Sequence, residues 1–368
     1  MKILYVTTIS NTVNAFLILH IKMLIEEGHE VHCAFNIVQE VNEELIKMGC
    51  KIHNIEFQRS PLRKENIKAY KKLKKLIQQE KYDLVHTHTP VASACVRLAC
   101  KNFNNIKVIY TAHGFHFYKG APIQNWLIYY PIEKWLSKYT DCLITINQED
   151  FQRAKNSFKA RRVEYIPSIG LNLDKFKKNT NTRQKIRKEL GLTDKDFVVL
   201  SVGELNKNKN HATIIKAISK IKEKDIYYII CGEGPLKEYL RRLSIKLGIE
   251  NQVILLGYRN DIADIYSVAD VFAFPSRREG LGMAALEAMS SGLPLVTSNI
   301  HGIVDYSVNG ETGFTCSPLD SSCFAIRISQ LKKSPDLINK FGRNNVKKVD
   351  VFNINNVLRN VKKIYESL

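Results

Sequence analysis

Hydrophobic positions recur along the chain in short runs that alternate with longer amphipathic stretches. In the first half the strand-like runs are Lys2–Thr8, Glu30–Phe35, Lys51–Ile55, Leu84–His86, Lys107–Thr111 and Cys142–Ile146. Helical stretches separate most of them, the first over residues 14–27, which Gly28 closes. Strands that alternate with helices indicate βαβ units and a mainly parallel sheet.

A second series of the same kind occupies the second half of the chain. Its strand-like runs are Phe197–Val202, Tyr227–Cys231, Val253–Leu256, Val271–Ala273 and Leu295–Thr297. The stretch between the two series, about 168–195, is basic and irregular and is interpreted as a linker. The pattern predicts two α/β domains, over 1–170 and 171–353, followed by a terminal helix at 354–368. In such sheets ligands bind at the carboxyl ends of the strands.

Composition narrows the class of protein. The 368 residues are 45% hydrophobic and 25% charged, as in soluble globular proteins. The apolar runs are shorter than the roughly 18–20 residues that cross a bilayer, and the N-terminus turns polar too early for a secretory signal. Eight cysteines without a CxxC pair or a neighbouring histidine pair predict a reduced, cytosolic protein with no structural zinc.

The net charge of +19 is concentrated in two segments. Arg59–Lys81 carries nine basic and two acidic residues, and Arg153–Lys188 carries twelve and two. This clustering favours a polyanionic partner: nucleic acid, anionic lipid or a phosphorylated small molecule. Apolar residues recur at helical spacing within Arg63–Lys81, which predicts a basic amphipathic helix that could lie on an anionic bilayer. An ordinary helix that packs its apolar stripe on the sheet fits equally well.

The segment Arg277–Met289 carries the most chemical information. Gly280 and Gly282 predict that a helix begins between them, with Glu279 in a loop and Glu287 in the second or third turn. The backbone N–H groups of Gly280 to Met283 would then suit an anion such as a diphosphate. A glycine turn before an amphipathic helix with a solvated Glu287 is the alternative.

Taken together, the motifs resemble the family 4 glycosyltransferases, which have the GT-B fold and retain anomeric configuration. The matching segments are Ser276–Glu279 with the spacing to Glu287, Ala288–Val296, His301–Gly302, Asn309–Phe314, Asp83–His88, Thr111–Gly114 and Ile166–Gly170. The resemblance covers nearly the whole chain and is strongest to bacterial enzymes of capsule, exopolysaccharide or lipid-linked oligosaccharide synthesis. It implies two Rossmann-like parallel-sheet domains facing a cleft. The first would bind the acceptor and include the helix 354–368, and the second would bind the nucleotide sugar.

The resemblance also implies roles in donor binding. Glu287 would hydrogen-bond the ribose, Glu279 would bind the transferred sugar, and Lys209 would stabilise the leaving diphosphate. Glu204 stands where the family usually has arginine, so either Lys207 or Arg259 compensates or Glu204 turns away. The expected donor-binding residues are Gly203, Lys207, Gly232, Tyr258, Arg259, Gly280, Leu281, Gly282, Met283 and Glu287.

In the first domain the resemblance assigns His113 to the transferred sugar, so that His113, Glu279 and Lys209 form the expected catalytic set. Many relatives have a Gly-Gly turn after the first strand, but this chain has Thr8–Val13. Ser10 and Asn11 can supply side-chain hydrogen bonds there instead. His86 and His88, like His113, are interpreted as following strand ends in the first domain, and they are expected in the acceptor site or in the core. No metal site and no cofactor are expected.

The expected activity is retaining, metal-independent transfer of a sugar of the N-acetylated hexosamine type. The donor would be a UDP-sugar, and the acceptor a polyprenyl-diphosphate-linked or other glycan. The departing phosphate would take the acceptor proton. Aromatic surface at Phe115–Tyr118 and Trp126–Trp135 suggests peripheral attachment to the cytoplasmic face of an anionic membrane. The alternatives are a GT-B-like epimerase or phosphorylase and a basic nucleic-acid-binding protein, although no pyridoxal lysine and no nucleic-acid motif is found.

Overall fold

The structure is a computed structural model that describes residues 1–368. The chain forms two compact units. Unit 1 is Met1–Gly170 together with Asn355–Leu368, and unit 2 is Leu171–Ile354. The terminal helix belongs to unit 1 because Val357, Val361 and Ile364 are buried in its core.

Unit 1 contains a seven-stranded parallel sheet with the order β3-β2-β1-β4-β5-β6-β7. The strands are β1 (Lys2–Ile9), β2 (Glu30–Asn36), β3 (Lys51–Asn54), β4 (Leu84–His88), β5 (Lys107–Ala112), β6 (Cys142–Thr145) and β7 (Arg162–Tyr165). Sequence reasoning missed β7, because this polar edge strand is only partly buried and lacks an apolar run.

The helices of unit 1 are α1 (Ser10–Phe16), α2 (Ile18–Glu26), α3 (Glu43–Lys47), α4 (Glu65–Glu80), α5 (Pro90–Cys100), α6 (Ile123–Leu136) and α7 (Gln148–Ser157). The expected loop at Thr8–Val13 is wrong, since β1 continues to Ile9 and α1 begins directly at Ser10. The Ser10 hydroxyl accepts a hydrogen bond from the Gln39 backbone N–H at 3.1 Å, which ties the start of α1 to the chain after β2.

Helices cover both faces of this sheet because side chains alternate along each strand. Ile3 and Tyr5 of β1 face the layer that contains α1 and α2, whereas Leu4 and Val6 face α4 and α5. The apolar stripe of α4 is buried on the sheet, and its lysines remain at the surface. The ordinary packing of this helix is therefore the correct one.

Unit 2 contains a six-stranded parallel sheet with the order β10-β9-β8-β11-β12-β13. The strands are β8 (Phe197–Val202), β9 (Ile226–Cys231), β10 (Val253–Gly257), β11 (Val271–Phe274), β12 (Leu295–Ser298) and β13 (Gly313–Cys316). The helices are α8 (Thr180–Glu189), α9 (His211–Ile221), α10 (Lys237–Lys246), α11 (Ile262–Val268), α12 (Met283–Ser290), α13 (Ser321–Lys332), α14 (Pro335–Lys348) and α15 (Ile354–Glu366), the last of which returns to unit 1. The two parallel sheets confirm the predicted α/β class.

The stretch 168–195 is more than a linker, because α8 lies within it and packs on unit 2. Arg187 is buried, and its guanidinium lies 2.8 Å from the carboxylate of Asp270. Arg183 lies 2.7 Å from the other oxygen of that carboxylate. Part of the positive charge of this segment is therefore used inside unit 2 rather than offered to a partner.

The cysteines differ from the expectation at one place. Cys316 at the end of β13 and Cys323 at the start of α13 form a disulfide, with Cα atoms 5.8 Å apart. The other six cysteines are free thiols. No helix of the structure has the length and apolar character required to cross a membrane.

Candidate functional site

The strand order of unit 2 reverses between β8 and β11, and the loops that follow these strands lie side by side. Ligands of open α/β sheets bind at such a reversal. The backbone N–H of Arg277 donates to the carbonyl of Asn208 at 2.8 Å, and the Asn208 amide donates to the carbonyl of Arg278 at 2.9 Å. The Asn210 amide donates to the carbonyl of Pro275 at 3.0 Å. The two loops therefore form one connected surface.

Lys209 and Glu279 meet on this surface. The Lys209 Nζ lies 2.6 Å from Oε1 of Glu279, with side chains 22% and 12% exposed. The same Nζ lies 5.0 Å from the centre of the Phe274 ring. Partial burial strengthens such an ion pair relative to one in water. A cation and a hydrogen-bond acceptor are thus held together at the sheet reversal.

Glu287 lies one turn into α12, whose N-terminus is Met283. Gly282 precedes it with a φ of +95°, a conformation that favours glycine. The Tyr266 hydroxyl donates to Oε2 of Glu287 at 2.7 Å, and burial raises the pKa of the carboxyl group. Sequence reasoning missed Tyr266, although a tyrosine in a short buried helix signals that its hydroxyl needs a partner.

Two glycines allow the loops of unit 2 to approach closely. A Cβ at Gly232 would lie 2.0 Å from the carbonyl oxygen of Gly203. A Cβ at Gly302 would lie 1.9 Å from the carbonyl oxygen of Gly280, while the Gly302 N–H donates to the carbonyl of Glu279 at 3.2 Å. Segment His301–Gly302 therefore supports the turn that carries Glu279. The sequence showed only that this segment matches a family motif.

Glu204, which stands where the family usually has arginine, has a hydrogen-bond partner within its own loop. The Glu204 carboxylate accepts a hydrogen bond from the Asn206 amide at 2.8 Å. The Arg259 guanidinium lies 2.7 Å from the carboxylate of Asp261, which largely balances its positive charge. Lys207 is exposed. The contact with Asn206 is compatible with Glu204 turning away from a diphosphate, and this alternative stays a prediction, as does compensation by Lys207 or Arg259.

The end of β10 presents Tyr258, which is 77% exposed, beside the turn that starts at Gly257. Leu281, by contrast, is buried, so only its backbone can serve a ligand. The structure thus brings the loop with Lys209 and the turn with Glu279 together in unit 2.

Most of the candidate residues of the first domain are buried in unit 1, namely Ser10, His86 and His88. The expectation that His86 and His88 follow a strand end is wrong, since both lie within β4. They occupy the same face of this strand, two residues apart, with ring centres 4.4 Å apart. Ser10 is buried and hydrogen-bonded to Gln39, which makes it a structural residue. Oδ1 of Asn11 is a buried atom without a hydrogen-bond partner.

His113 follows β5, the neighbour of β4 in the sheet. Its Nε2 lies 3.0 Å from Nδ1 of His88. Burial lowers the pKa of His113 to about 4, so its imidazole is neutral at pH 7. A neutral imidazole can donate one hydrogen bond and accept another. Of His86, His88 and His113, only His113 is half-buried rather than fully buried.

Comparison with known proteins places the chain in a class. The glycosyl transferase 4-like family model matches residues 2–147, and the model for glycosyl transferases group 1 matches residues 182–348. The chain belongs to the family 4 glycosyltransferases of the GT-B fold. The predicted family and fold are confirmed.

The chain is similar to two curated sequences and one solved structure of particular interest. EpsD of Bacillus subtilis, which its name places among the glycosyltransferases, is 39% identical over 93% of this chain and 90% of its own length. The UDP-Gal:alpha-D-GlcNAc-diphosphoundecaprenol alpha-1,3-galactosyltransferase of Escherichia coli is 32% identical over 82% and 79%. HepE of Anabaena, solved in complex with UDP, superposes with a TM-score of 0.83 over the full length of both chains at 19% identity.

Proposed function

We propose that the chain transfers a sugar from a UDP-sugar, with retention of configuration, to a polyprenyl-diphosphate-linked or other glycan in cell-surface polysaccharide synthesis. The observation that carries the proposal is the Lys209–Glu279 pair, 2.6 Å apart at the strand reversal of unit 2. The name of the Escherichia coli relative, with its UDP-Gal donor and diphosphoundecaprenol acceptor, and the UDP bound to HepE support this donor and acceptor class.

In the proposed donor complex each group of unit 2 has one task. Lys209 stabilises negative charge that develops on the departing diphosphate. Backbone N–H groups at the start of α12 contribute to the same charge. Glu287 accepts hydrogen bonds from the ribose, and Tyr266 holds its carboxylate in place. Tyr258 and the backbone beside it contact the base.

The proposed reaction needs no protein nucleophile. The bond from the anomeric carbon to the diphosphate breaks, and the acceptor oxygen bonds to the same face of that carbon. The acceptor proton passes to a phosphate oxygen of the departing diphosphate. Glu279 and His113 position the transferred sugar, so positioning and charge stabilisation supply most of the rate. We propose that no metal takes part, because Lys209 supplies the compensating charge.

A transfer assay tests this proposal directly. The purified chain would be incubated with an undecaprenyl-diphosphate-linked GlcNAc acceptor and UDP-Gal, UDP-Glc, UDP-GlcNAc or UDP-GalNAc, with and without EDTA. We propose that the transferred sugar is of the N-acetylated hexosamine type, so we expect one N-acetylated donor to be used, with an α-linked product by NMR and no effect of EDTA. Conversion of a UDP-sugar without acceptor would instead support an epimerase. Inactivity of Glu279→Ala, under conditions where the protein stays folded, is the matched control.

We also propose that unit 1 lies peripherally on the cytoplasmic face of an anionic membrane, and that α6, rather than α4, is the helix that enters the interface. The outward side of α6 is almost entirely apolar. Its exposed large apolar side chains are Ile123, Leu127, Ile128, Ile132 and Trp135. The inward side of α6 packs on the core through Trp126, Tyr129 and Tyr130. A helix that is apolar on both sides is normally buried, so we expect a lipid or protein surface to contact the exposed side of α6.

The distribution of charged residues on and beside α6 favours lipid as its contact partner. The one acidic residue of α6, Glu133, is buried against Arg97. Lys138 follows the helix, and its Nζ lies 5.2 Å from the ring of Trp135. Apolar side chains with an aromatic residue and lysines at the edge are typical of helices that lie in a membrane interface.

The lysine face of α4 belongs to the same layer of the sheet as α6. Both helices pack on the face that Val108 and Tyr110 of β5 share, since these side chains are two residues apart. The exposed lysines of α4 are Lys68, Lys71, Lys72 and Lys75. They would add long-range attraction to anionic lipid, of about 1 kcal/mol per lysine near the surface.

Vesicle flotation separates the two contributions. Wild type should bind vesicles of phosphatidylglycerol and phosphatidylethanolamine, and part of the binding should persist in high salt. The double substitution Leu127→Gln/Ile128→Gln should abolish the salt-resistant part, whereas Ile46→Gln, which alters an equally exposed apolar residue on α3, should not. No binding by wild type at low salt would overturn the proposal. Self-association that the double substitution removes would instead assign α6 to a second copy of the chain.

A further inference from the structure

Aromatic rings form a continuous column across the strands β1, β4 and β5 of unit 1. The rings of Tyr5 and His88 stack with centres 5.6 Å apart. His86 stacks on His88 at 4.4 Å, and His88 stacks on His113 at 5.2 Å with an interplanar angle of 26°. Tyr5 lies on β1, His86 and His88 lie on β4, and His113 directly follows β5, so the sheet itself fixes the spacing of the column.

His86 has the hydrogen bonding of a core histidine. Its Nδ1 lies 2.6 Å from the Tyr365 hydroxyl, and its Nε2 lies 2.8 Å from Oγ1 of Thr111. The Tyr365 hydroxyl also donates to the hydroxyl of Tyr5 at 3.1 Å. Both nitrogens of His86 are satisfied by protein, which identifies it as a structural residue that connects β4 to α15.

His88 is bonded differently. Its Nδ1 contacts Nε2 of His113 at 3.0 Å, whereas its Nε2 is buried and has no hydrogen-bond partner. The ring is only 2% exposed and borders a small cavity that His20 and Ser168 also line. A buried polar atom without a partner costs stability, and an apolar ring would fill the same space without that cost. The polar edge of His88 that is used is the one facing His113.

The contact between the two histidines determines which nitrogen of His113 carries the proton. Burial lowers the pKa of both imidazoles, so both are neutral at pH 7 and only one proton lies between Nδ1 of His88 and Nε2 of His113. If His88 donates, the second nitrogen of His113 carries a proton and can donate to a ligand. If His88 accepts, that nitrogen can only accept. The hydrogen bond made by one ring nitrogen thus sets the role of the other.

We propose that His88 is a positioning residue, whose Nδ1 fixes the ring orientation and the tautomer of His113. The inference rests on the proposed function in one respect, namely that His113 contacts the transferred sugar. His88 itself touches no substrate and acts through His113. The second nitrogen of His113, Nδ1, is thereby presented to the sugar with a single, defined hydrogen-bonding role.

Two substitutions distinguish positioning from packing. His88→Leu fills the space without a polar atom, whereas His88→Asn keeps a polar atom near the position of Nδ1. Tyr365→Phe is the matched control, because it removes hydrogen bonds within the same column but leaves the contact between His88 and His113. All three would be compared with wild type in the full-length chain, with thermal unfolding measured for each.

The first readout is the ¹⁵N NMR spectrum of histidine-labelled protein, with His113→Gln to assign the signals. In wild type and in Tyr365→Phe the ring nitrogens of His113 should show one neutral tautomer. In His88→Leu they should shift towards the average of two tautomers. Unchanged His113 signals in His88→Leu would overturn the proposal. This readout does not need turnover, so it remains decisive if the proposed transfer reaction is wrong.

The second readout is kinetic. With donor and acceptor saturating, His88→Leu should lower kcat by on the order of 100-fold, the effect of a misplaced group in an active site, with little change in the donor KM. His88→Asn should recover most of that loss, to within about threefold of wild type by the same reasoning on geometry. Equal activity of the Leu and Asn variants would show that the imidazole serves packing alone.

Discussion

The Nζ of Lys209 lies 2.6 Å from Oε1 of Glu279, although 70 residues separate them in the chain. Each residue follows a strand that borders the sheet reversal of unit 2, so the pair exists because β8 and β11 are neighbours. The carboxylate thus partly neutralises the cation that we propose for the diphosphate. A ligand that carries its own negative charge therefore competes with Glu279 for Lys209.

This competition predicts an asymmetric result for nucleotide binding. Glu279→Gln should bind UDP more tightly than wild type, by on the order of 10-fold, because a negative charge beside the diphosphate site is removed. Its kcat should fall, because the transferred sugar loses a contact. Lys209→Met should weaken UDP binding. Calorimetric titration of the three proteins checks this, and equal affinity of wild type and Glu279→Gln would place the diphosphate elsewhere.

Glu287 should be costly for stability in the absence of ligand. Burial raises the pKa of its carboxyl group, so the folded state favours the protonated form more than the unfolded state does. Stability is therefore lost as the pH rises from the unfolded value through the raised one, and the deficit is present at pH 7. Glu287→Gln should raise Tm at pH 7 by about 2–4 °C, the shift for about 1 kcal/mol in a domain of this size.

The same substitution should weaken binding of UDP, because an amide is a poorer acceptor for two ribose hydroxyls than a carboxylate. Thermal unfolding with and without UDP gives both values in one experiment. A lower Tm together with undiminished UDP stabilisation would contradict both parts of the assignment.

A pair of glycine substitutions tests the support of the turn at Glu279. In Gly302→Ala the new Cβ would lie 1.9 Å from the carbonyl oxygen of Gly280, so the turn must move. We expect UDP affinity to fall by at least about 10-fold, since small displacements of binding groups are costly. Gly310→Ala is the control: its φ of +79° strains an alanine, but nothing lies within 4 Å of its Cβ.

Both variants should lose stability, yet only Gly302→Ala should lose affinity for UDP. Urea unfolding and UDP titration of each protein provide the comparison. If both variants bound UDP as wild type does, segment His301–Gly302 would have no part in shaping the site.

The histidines of the column, together with the neighbouring His20, predict a loss of stability in mild acid. Burial lowers the pKa of His20, His86, His88 and His113, so these rings bind protons in the unfolded chain before they do so in the folded one. Stability is complete above about pH 6.5 and is lost as the pH falls towards about 4. The groups that face these rings are the histidines themselves, the hydroxyls of Tyr5, Tyr365 and Thr111, and the carbonyl of Ile169, and no carboxylate is among them.

Urea unfolding at pH 7.5 and pH 5 measures this loss. Each fully buried histidine that stays neutral contributes about 1.4 kcal/mol per pH unit within the window. The difference between the two pH values should shrink in His20→Gln, and His211→Gln should have a similar effect in unit 2, because burial lowers the pKa of His211 to about 4. A pH dependence that neither substitution alters would point to carboxylates instead.

Some parts of the fold were predictable because they depend on local patterns. Most buried strands of both sheets stand out as apolar runs, and parallel strands separated by helices follow from their spacing. The short strand β13 was missed, because Gly313 and Thr315 interrupt its apolar residues. The motif around Glu279 and Glu287 was also recognisable, because glycines beside carboxylates mark a turn before a helix. The polar edge strand β7 lacks such a run, and α8 is hidden by its charges.

Other features arise only when distant segments meet. Tyr266 acquires its role by contacting Glu287, the disulfide joins the end of β13 to the start of α13, and His88 reaches His113 across neighbouring strands. The exposed apolar side of α6 cannot be identified from the sequence, because both sides of that helix are hydrophobic. Only the packing shows which side contacts the core and which is exposed.

The sequence by itself thus determined the α/β class and the family, and it supplied the residues of the donor site that we propose. These depend on hydrophobic periodicity and on short motifs, which are local properties of the chain. The tertiary structure decided which of those residues are paired. Ion pairs, stacked rings and tautomers depend on distances of a few ångströms between side chains from different strands, and strand order, which the local pattern does not encode, sets those distances.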